Sequence, residues 1–201
     1  MSESLLDAPA PPADSSPQPP ATPSRRSRLL REIVETALLT AIIFLLVNAA
    51  TGRFEIDGSS MEPNLHHDER VIVDKVTYLF GQPQRGDVVV FALENQPKDY
   101  IKRVIGLPGE TIEISNGVVY VDGRPLEEPY ALPAPGDTRP AVQLAADEYF
   151  VMGDNRGNSQ DSRSFGPIGR DDIVGRAWIV YWPPAEWSVV PHHSYAAGGA
   201  S

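Results

Sequence analysis

The chain contains 201 residues, of which 41% are hydrophobic, and it has a formal net charge of −10 and no cysteine. This length and hydrophobic content fit one compact domain with additional segments, and the acidic balance argues against a nucleic-acid-binding protein, which needs a basic face. Without cysteine, disulfides, cysteine-ligated zinc and thiol catalysis are excluded, so the sequence favours chemistry that needs no cofactor and no metal.

The first predicted segment is an N-terminal tail over residues 1–28. Its first 24 residues are rich in proline, alanine and serine, contain no aromatic residue and offer mainly Leu5 and Leu6 as large apolar side chains. Such a segment cannot bury enough apolar surface to offset the entropy lost on ordering. We therefore predict that this tail is disordered.

Residues 29–51 contain an apolar stretch that runs from Ile33 to Ala50, and four basic residues come before it: Arg25, Arg26, Arg28 and Arg31. The segment approaches the roughly 20 apolar residues that a membrane-spanning helix needs. A single span is favoured over a cleaved signal peptide ending near Ala49 or Ala50, and over a buried helix of a soluble protein, which leaves the arginines unexplained. Basic residues mark the cytoplasmic end of a span, so the tail is predicted to be cytoplasmic and the rest of the chain extracytoplasmic.

After residue 51 the pattern changes to short runs of β-type residues separated by residues typical of turns. The predicted strands are Phe54–Asp57, Arg70–Asp74, Asp87–Ala92, Tyr100–Ile105, Thr111–Ile114, Val118–Val121, Glu148–Met152 and Ile173–Trp182. Asn116 and Gly117 predict a two-residue hairpin, because both tolerate positive φ. The fold class is therefore mostly β, with an antiparallel β-sheet domain over residues 52–190, a surface connection or small excursion at 123–146 and a flexible C-terminal tail at 191–201.

Two polar side chains in these elements could form a catalytic pair. Ser60 lies in a Gly/Pro turn, and Lys102 lies on the predicted strand Tyr100–Ile105. If Arg103 faces water, Lys102 faces inward, where desolvation disfavours the ammonium form and lowers the lysine pKa from about 10.4. A neutral amine can accept the proton of a serine hydroxyl. Each residue alone would more often be a turn serine or a surface lysine.

Histidine offers no comparable base in the sequence. His66 and His67 fall in a polar turn, and His192 and His193 fall in the C-terminal tail, which is rich in glycine and alanine. A histidine-based triad is therefore unsupported.

A dense polar loop, residues 153–166, follows the predicted strand Glu148–Met152. It combines several hydroxyl groups with Asp161 and Arg163, which could hold each other and organise a site. Polar loops are usually ordinary surface, so the loop alone is weak evidence. Together with Ser60 and Lys102, it is interpreted as support for the catalytic pair.

Four segments in this order resemble the conserved boxes of the type I signal peptidases. They are SMEP at 60–63, RGDVVVF at 85–91, KRVIGLPG at 102–109 and the polar loop at 153–163. The resemblance runs from the apolar segment to about Trp182, and four separate signatures coincide with an upstream span. It implies a β fold and a membrane-bound serine endopeptidase that removes N-terminal signal peptides from exported preproteins through a Ser-Lys dyad and an acyl-enzyme.

The resemblance also implies a role for each matching residue. Ser60 resembles the nucleophile, and Lys102 resembles the base that serves first Ser60 and then the deacylating water. Ser159 resembles the hydroxyl that orients the lysine, and Asp161 and Arg163 resemble the pair that braces the last box. Substrates are expected to carry small residues at positions −1 and −3 before the cut.

The nucleophile box departs from the family pattern at Gly58. Many relatives have serine or threonine there, and its hydroxyl donates a hydrogen bond to the oxyanion. Gly58 has no side chain, so we expect oxyanion stabilisation to rely on backbone N–H groups, including that of Ser60. Met61, which follows the nucleophile, is expected to pack near the site.

Two alternative functions remain open from the sequence. A soluble, self-cleaving Ser-Lys regulator of the SOS-repressor type would share the dyad and a related β fold, although its usual DNA-binding helices are missing here. A non-enzymatic, membrane-anchored β module would remain if Lys102 faces solvent.

The signal-peptidase interpretation also implies partners and a location. The expected partners are signal-peptide-bearing preproteins and the lipid bilayer, with no nucleic acid and no cofactor, and the protein is expected to be a monomer. The expected location is the bacterial plasma membrane, crossed once, with the N-terminus in the cytoplasm and the catalytic domain outside it.

Overall fold

The computed structural model of the chain describes residues 25–94 and 96–195. An N-terminal helix, α1, covers Arg25–Ala50, so the last four residues of the predicted tail are helical. The rest of that predicted tail, residues 1–24, lies outside the described residues, as do residues 196–201 of the predicted C-terminal tail.

Helix α1 is long and apolar enough to cross a membrane over the 23 residues Arg28–Ala50. At 1.5 Å per residue this stretch is about 34 Å long, slightly more than the roughly 30 Å of a bilayer's hydrocarbon core. Its large apolar side chains from Leu29 to Val47 are 45% to 65% exposed. A helix in a soluble core would bury these side chains, so the structure disfavours that alternative. Length and composition fit a membrane span and a cleaved signal sequence alike.

After α1 the chain is mostly antiparallel β structure, as the sequence predicts, and its strands form two sheets. The strands are β1 (Thr51–Glu55), β2 (Arg70–Asp74), β3 (Val88–Phe91), β4 (Tyr100–Gly106), β5 (Thr111–Ser115), β6 (Val118–Val121), β7 (Arg124–Pro125), β8 (Arg139–Gln143), β9 (Glu148–Met152), β10 (Ile168–Gly169), β11 (Ile173–Trp182) and β12 (Ser188–Val189). Two short helices, α2 (Thr77–Phe80) and α3 (Ser162–Phe165), lie between strands. Within the described ranges, the larger sheet has the order β1-β2-β11-β3-β4-β9-β10, with β12 beside β11, and the smaller has the order β7-β6-β5-β8.

The predicted hairpin joins β5 to β6. Asn116 and Gly117 have φ values of 49° and 83°, and Ser115 pairs with Val118 across the turn. Both turn residues occupy the left-handed region that a type I′ turn requires, which confirms the prediction from the Asn-Gly pair.

Strand β4 lies between β3 and β9 and is packed on both of its faces. Val104 belongs to an apolar cluster with Phe91, whereas Ile105 belongs to a second cluster with Ile112 and Phe150. Consequently, the side chains of this strand from residue 102 onward are buried whichever face they occupy. The strand offers a rigid support on which a buried polar group can be placed.

The segment 123–146, predicted to be a surface connection or a small excursion from the sheet, contains two strands, β7 and β8. Strand β8 extends the smaller sheet by pairing Val142 with Ile112 of β5. Of the five residues of β8, only Val142 is partly buried. Without alternation of apolar and polar residues, the sequence carries no strand signal at this position.

The prediction of a flexible tail from residue 191 is wrong for residues 191–195. The ring of His192 accepts a hydrogen bond from the Val88 N–H at 3.1 Å and lies 2.8 Å from the carbonyl oxygen of Ala177. The Tyr195 hydroxyl donates to the Glu127 carbonyl at 3.0 Å. Local composition suggests a tail, but these long-range hydrogen bonds hold the segment on the β domain.

Candidate active site

Ser60 lies in a tight turn shortly after β1. The main-chain N–H groups of Asn64 and Leu65 both donate to the Met61 carbonyl at 3.0 Å, which closes the turn. The Met61 side chain is fully buried in an apolar cluster with Ile56 and Leu65. A buried methionine thus holds the turn on the domain, and the adjacent Ser60 is partly exposed.

Lys102 lies in β4, opposite Val89 of β3. Its Nζ atom is 2.7 Å from Ser60 Oγ and is also hydrogen-bonded to the Ile101 carbonyl at 2.7 Å. The fold therefore brings the two predicted catalytic residues, 42 positions apart in the sequence, into direct hydrogen-bond contact.

The lysine is only 4% exposed. Burial lowers the pKa of Lys102 to about 8, because an ammonium ion loses its hydration there, while the carboxylates of Asp161 and Asp154 act in the opposite direction. Near pH 8 a large fraction of Lys102 is therefore a neutral amine. A neutral amine within hydrogen-bond distance of a serine hydroxyl can act as its base.

From the sequence, Arg103 is expected to face water and, for that reason, Lys102 to face inward. The structure corrects the first of these expectations, because Arg103 is buried. Its side chain is fully buried, and its guanidinium forms two hydrogen bonds with Asp154, Nε to Oδ1 at 2.8 Å and Nη2 to Oδ2 at 2.7 Å. Both faces of β4 are covered, so consecutive residues can both be buried. Lys102 is inward as expected, but Arg103 is inward as well.

The polar loop is braced by the ion pair that its sequence suggests. Arg163 donates to Asp161 through Nε at 2.8 Å and Nη2 at 2.7 Å, and the Asp161 carboxylate also accepts the Gly153 N–H at 3.0 Å. Burial raises the pKa of Asp161, but the hydrogen bonds and charge of Arg163 outweigh it, so the pKa of this carboxyl lies below its usual range. Asp161 is therefore held as a carboxylate that ties both ends of the loop together.

Asn155 is a contact of the nucleophile turn that the sequence analysis missed. Its main-chain N–H donates to the Ser60 carbonyl at 3.0 Å, and its side-chain amide donates to the Ser59 carbonyl at 3.2 Å. The loop thus holds the main chain on both sides of the nucleophile's peptide unit. An asparagine in a polar loop is not distinctive, so no local sequence signal marks this role.

Ser159 lies beside Gly153, against the main chain of Ser60. A Cβ atom at Gly153 would overlap both the Ser159 hydroxyl and the Ser60 carbonyl, so glycine is required for this close approach. The Ser159 hydroxyl is buried and lies close enough to the Asp161 carboxylate to help lower the pKa of that carboxyl. The structure therefore brings Ser159 to the site without a bond to Lys102, and its predicted role in orienting the lysine stays a prediction.

Gly58 has a φ of +96°, a conformation that L-residues with side chains rarely adopt. Its N–H donates to His67 Nδ1 at 3.0 Å, and an added Cβ would meet no atom within 4 Å. There is space for a serine hydroxyl here, but the backbone conformation favours glycine.

None of the four histidines within the described ranges forms a hydrogen bond with Ser60 or Lys102. His67 contacts Gly58, the His66 N–H donates to Glu69 at 2.8 Å, and the other two lie in the C-terminal segment. In residues 25–94 and 96–195, no group of three or more histidine, aspartate or glutamate residues is placed to hold a metal ion.

A cleft of about 600 Å³ opens beside the Ser60–Lys102 pair. One wall is formed by residues 54–57, at the end of edge strand β1, and the other by residues 96–102. Strand β9 pairs with β4 only from Arg103 onward, so the first half of β4 has a free edge on this side. Within the described residues, these two strand edges have no partner strand on the side of the cleft, and the cleft reaches Ser60, an arrangement suited to an extended peptide.

Known proteins of similar sequence are signal peptidases. The sequence model of the family described as "Signal peptidase, peptidase S26" matches residues 29–182. A probable signal peptidase I-1 of Synechocystis sp. is 39% identical over 170 residues, which cover 80% of this chain and 86% of the relative. A signal peptidase IB of Staphylococcus aureus is 34% identical over 180 residues, 81% of this chain and 94% of the relative. A crystal structure of a signal peptidase I from Enterococcus faecalis is 31% identical, with a TM-score of 0.40, and covers 48% of this chain and 97% of that one.

Proposed function

The chain belongs to the signal peptidase family, peptidase S26, and on this premise we propose that Ser60 and Lys102 are its catalytic dyad. The protein is a serine endopeptidase that removes signal peptides from preproteins. The observation that carries the assignment of the dyad is the 2.7 Å contact between the buried Lys102 Nζ and Ser60 Oγ. A base must reach the nucleophile and be unprotonated when it acts; Lys102 Nζ lies within hydrogen-bond distance of Ser60 Oγ, and burial lowers the lysine pKa to about 8, so the neutral amine is accessible near that pH.

The reaction follows from this pair. Neutral Lys102 accepts the Ser60 proton while Ser60 Oγ attacks the carbonyl carbon before the scissile bond. The resulting tetrahedral intermediate expels the amine, which takes the proton from Lys102 and leaves an acyl-enzyme. Lys102 then accepts a proton from the deacylating water and returns it to Ser60 Oγ as the ester bond breaks.

The oxyanion of each tetrahedral intermediate needs donors near Ser60. In the proposed site the Ser60 N–H is one donor, because Gly58 has no side chain to supply a hydroxyl. A preorganised donor of this kind contributes on the order of 3 kcal/mol to transition-state stabilisation. Asn155 supports this geometry, since its two hydrogen bonds to the carbonyls of Ser59 and Ser60 orient the peptide unit that carries the donor.

The polar loop has a supporting role in this proposal. Asp161 and Arg163 brace the loop, and Ser159 is held beside the nucleophile, where its hydroxyl orients the Lys102 amine when the lysine turns toward the reacting water. Met61 anchors the nucleophile turn in the core. These residues act on the position of the dyad rather than on the substrate.

The cleft accounts for how a preprotein binds. An extended peptide pairs with the free edges of β1 and β4, so that alternate side chains point into the cleft. Phe54, Ile56 and Ile101 are apolar side chains among the residues that line this cleft. Substrates with small residues at −1 and −3, such as alanine, are the ones that this site is expected to cut.

The dependence of the rate on pH tests the base. Because Lys102 must be neutral to accept the Ser60 proton, kcat/KM is expected to rise about tenfold per pH unit below the lysine pKa of about 8 and to level off above it. The measurement uses the detergent-solubilised full chain and a peptide with alanine at −1 and −3. A profile that is flat between pH 6 and pH 9 would contradict the assignment of Lys102.

The proposed location is the bacterial plasma membrane, crossed once by α1 with the N-terminus in the cytoplasm. The arginines before the apolar segment support this orientation by the positive-inside rule. Protease added to intact spheroplasts is then expected to digest the catalytic domain. Protection of that domain, or a mature N-terminus near Ala50 found by sequencing, would refute the topology.

The two alternative functions lose their support. A self-cleaving regulator would carry DNA-binding helices, whereas the family match and both relatives are signal peptidases. A non-enzymatic β module requires a solvent-facing Lys102, and the lysine is instead buried at Ser60. Resistance of the folded protein to a serine-directed acylating inhibitor would revive the second alternative.

A further inference from the structure

The C-terminal strap, residues 190–195, lies beyond residue 182, where the family match ends. It begins at Val190, whose side chain is buried in the same apolar cluster as Met61 and whose N–H donates to the Trp178 carbonyl at 2.9 Å. The strap therefore starts inside the core. From there the strap runs past the buried ion pair of Arg103 and Asp154, which lies next to the dyad.

Two histidines tie the strap to the strands around β4. His192 accepts the Val88 N–H at 3.1 Å through Nδ1, which leaves Nε2 as the donor to the Ala177 carbonyl at 2.8 Å. The His193 main-chain N–H donates to the Gly86 carbonyl at 3.2 Å. The strap is thus bonded to β11 and to the start of β3, the strand that pairs with β4.

The strap also completes the surroundings of Arg103, the residue after Lys102. The Pro191 carbonyl accepts a hydrogen bond from Arg103 Nη1 at 2.9 Å, beside the one that the same nitrogen makes to the Gly86 carbonyl at 2.8 Å. The guanidinium of Arg103 also forms an ion pair with Asp154. A fully buried guanidinium needs partners for its donors, and the strap supplies one of them.

Tyr195 closes the far end of this network. Its hydroxyl donates to the Glu127 carbonyl at 3.0 Å and lies 2.8 Å from the Tyr130 hydroxyl. The Tyr130 ring, in turn, lies 4.2 Å from the Arg103 guanidinium carbon. Tyr130 and the strap residue Tyr195 are thus linked to each other and to the surroundings of the Arg103–Asp154 pair, whose side chains are fully buried.

Both members of the dyad are attached to that pair. Lys102 is the neighbour of Arg103 in β4, and Ser60 is bonded through its carbonyl to Asn155, the neighbour of Asp154. Removing the strap would expose the charged pair to water, and the strand and loop that carry Lys102 and Asn155 would lose the support of that pair. The charged groups that face the lysine amine, Asp161 and Asp154, would remain.

We propose that the C-terminal strap is a positioning element for the dyad, which keeps the Arg103–Asp154 pair dry and so holds Lys102 buried against Ser60. This inference rests on the proposed function of Lys102 as the base. The strap contacts neither substrate nor reacting atoms, so it acts on the protonation and position of the base. Because desolvation is what favours the neutral amine, loss of the strap is expected to favour the ammonium form.

Truncation tests the proposal against a matched control. One variant ends at Val190 and lacks strap residues 191–195, whereas the control ends at Tyr195 and lacks only residues 196–201. The control profile of kcat/KM against pH is expected to overlay that of the full chain. In the shorter variant, the rising limb is expected to move up by about one pH unit, with kcat at pH 7 reduced about tenfold or more and KM changed less than twofold.

Three other outcomes separate the possible failures. An unchanged profile in the shorter variant would refute the strap proposal, and so would a lower rate with an unmoved limb, since that result indicates a structural role only. If the full chain itself shows no rising limb, the proposed function of Lys102 fails instead, and the strap proposal falls with it.

A second variant covers the case in which the shorter chain does not fold. His192→Ala removes both side-chain bonds of the strap to β3 and β11 while keeping its length. Folding is checked by circular dichroism, and the rising limb is expected to move in the same direction by a smaller amount. A folded His192→Ala protein with the limb of the full chain would overturn the proposal.

Discussion

Ser60→Ala and Lys102→Ala are each expected to abolish cleavage of a precursor in a protein that still folds. Without the hydroxyl no acyl-enzyme can form, and without the amine Ser60 loses the base that lies 2.7 Å from its Oγ. Losses of a nucleophile or its base in serine proteases reach about 10⁶-fold in kcat, and general-base catalysis alone contributes about 10²–10⁴-fold. The measurement is the rate of a single cut in a precursor with alanine at −1 and −3.

Two control variants sharpen this prediction. Ser59→Ala is expected to remain active, because the Ser59 hydroxyl accepts a hydrogen bond from the Asn158 amide at 2.8 Å and has no contact with Lys102. Lys102→Arg is expected to be inactive, since a guanidinium stays protonated at the pH of the assay. A folded Lys102→Ala enzyme that cuts near the full rate would end the Ser-Lys interpretation and redirect the search for a base to His67, which lines the same cleft.

Much of the fold could be predicted because its strands carry their own signals. Strands β2, β9 and β11 begin and end where the runs of apolar and β-branched residues do, and the Asn-Gly pair marks the β5–β6 hairpin. Strand β8 carries no such signal, since it extends the sheet through main-chain bonds with little burial. Strand β1 begins earlier than predicted, at Thr51, because it pairs there with Asp74 at the end of β2.

For the site, too, the residues in local sequence motifs could be predicted, whereas the contacts between distant parts of the chain could not. Ser60 and Lys102 lie in motifs that can be found along the chain, so the resemblance identifies them. The contact of Asn155 with Ser60, the burial of Arg103 and the strap all depend on partners far apart in the sequence. Alternation predicts one exposed residue of the Lys102-Arg103 pair, but a strand packed on both faces buries both. His192 and Tyr195 look like parts of a tail until the strands that receive them are in place.

The Arg103–Asp154 pair is the other position where a single change is expected to have a large effect, here on stability. Both side chains are fully buried and joined by two hydrogen bonds. Arg103→Met leaves a buried carboxylate without its partner, and Asp154→Asn leaves a buried guanidinium without a counter-charge. Removing one member of a buried pair typically lowers the free energy of unfolding by about 3–5 kcal/mol. Denaturant titration of the full chain in detergent, followed by circular dichroism, measures this loss.

The double variant Arg103→Met/Asp154→Leu separates the cost of an unpaired charge from the value of the pair. When both charges are replaced by apolar side chains of similar volume, no buried ion is left, and buried pairs treated in this way often lose little stability. The double variant is therefore expected to be more stable than either single variant, although Asn64, which donates to Asp154 at 2.8 Å, loses a partner. Arg70→Met serves as the exposed control, because its pair with Glu55 is about half exposed and such pairs contribute about 0.2–1 kcal/mol. Single variants as stable as the Arg70→Met control would mean that water reaches Arg103 and Asp154. The idea that this pair is shielded from water and helps to keep Lys102 buried would then have to be abandoned.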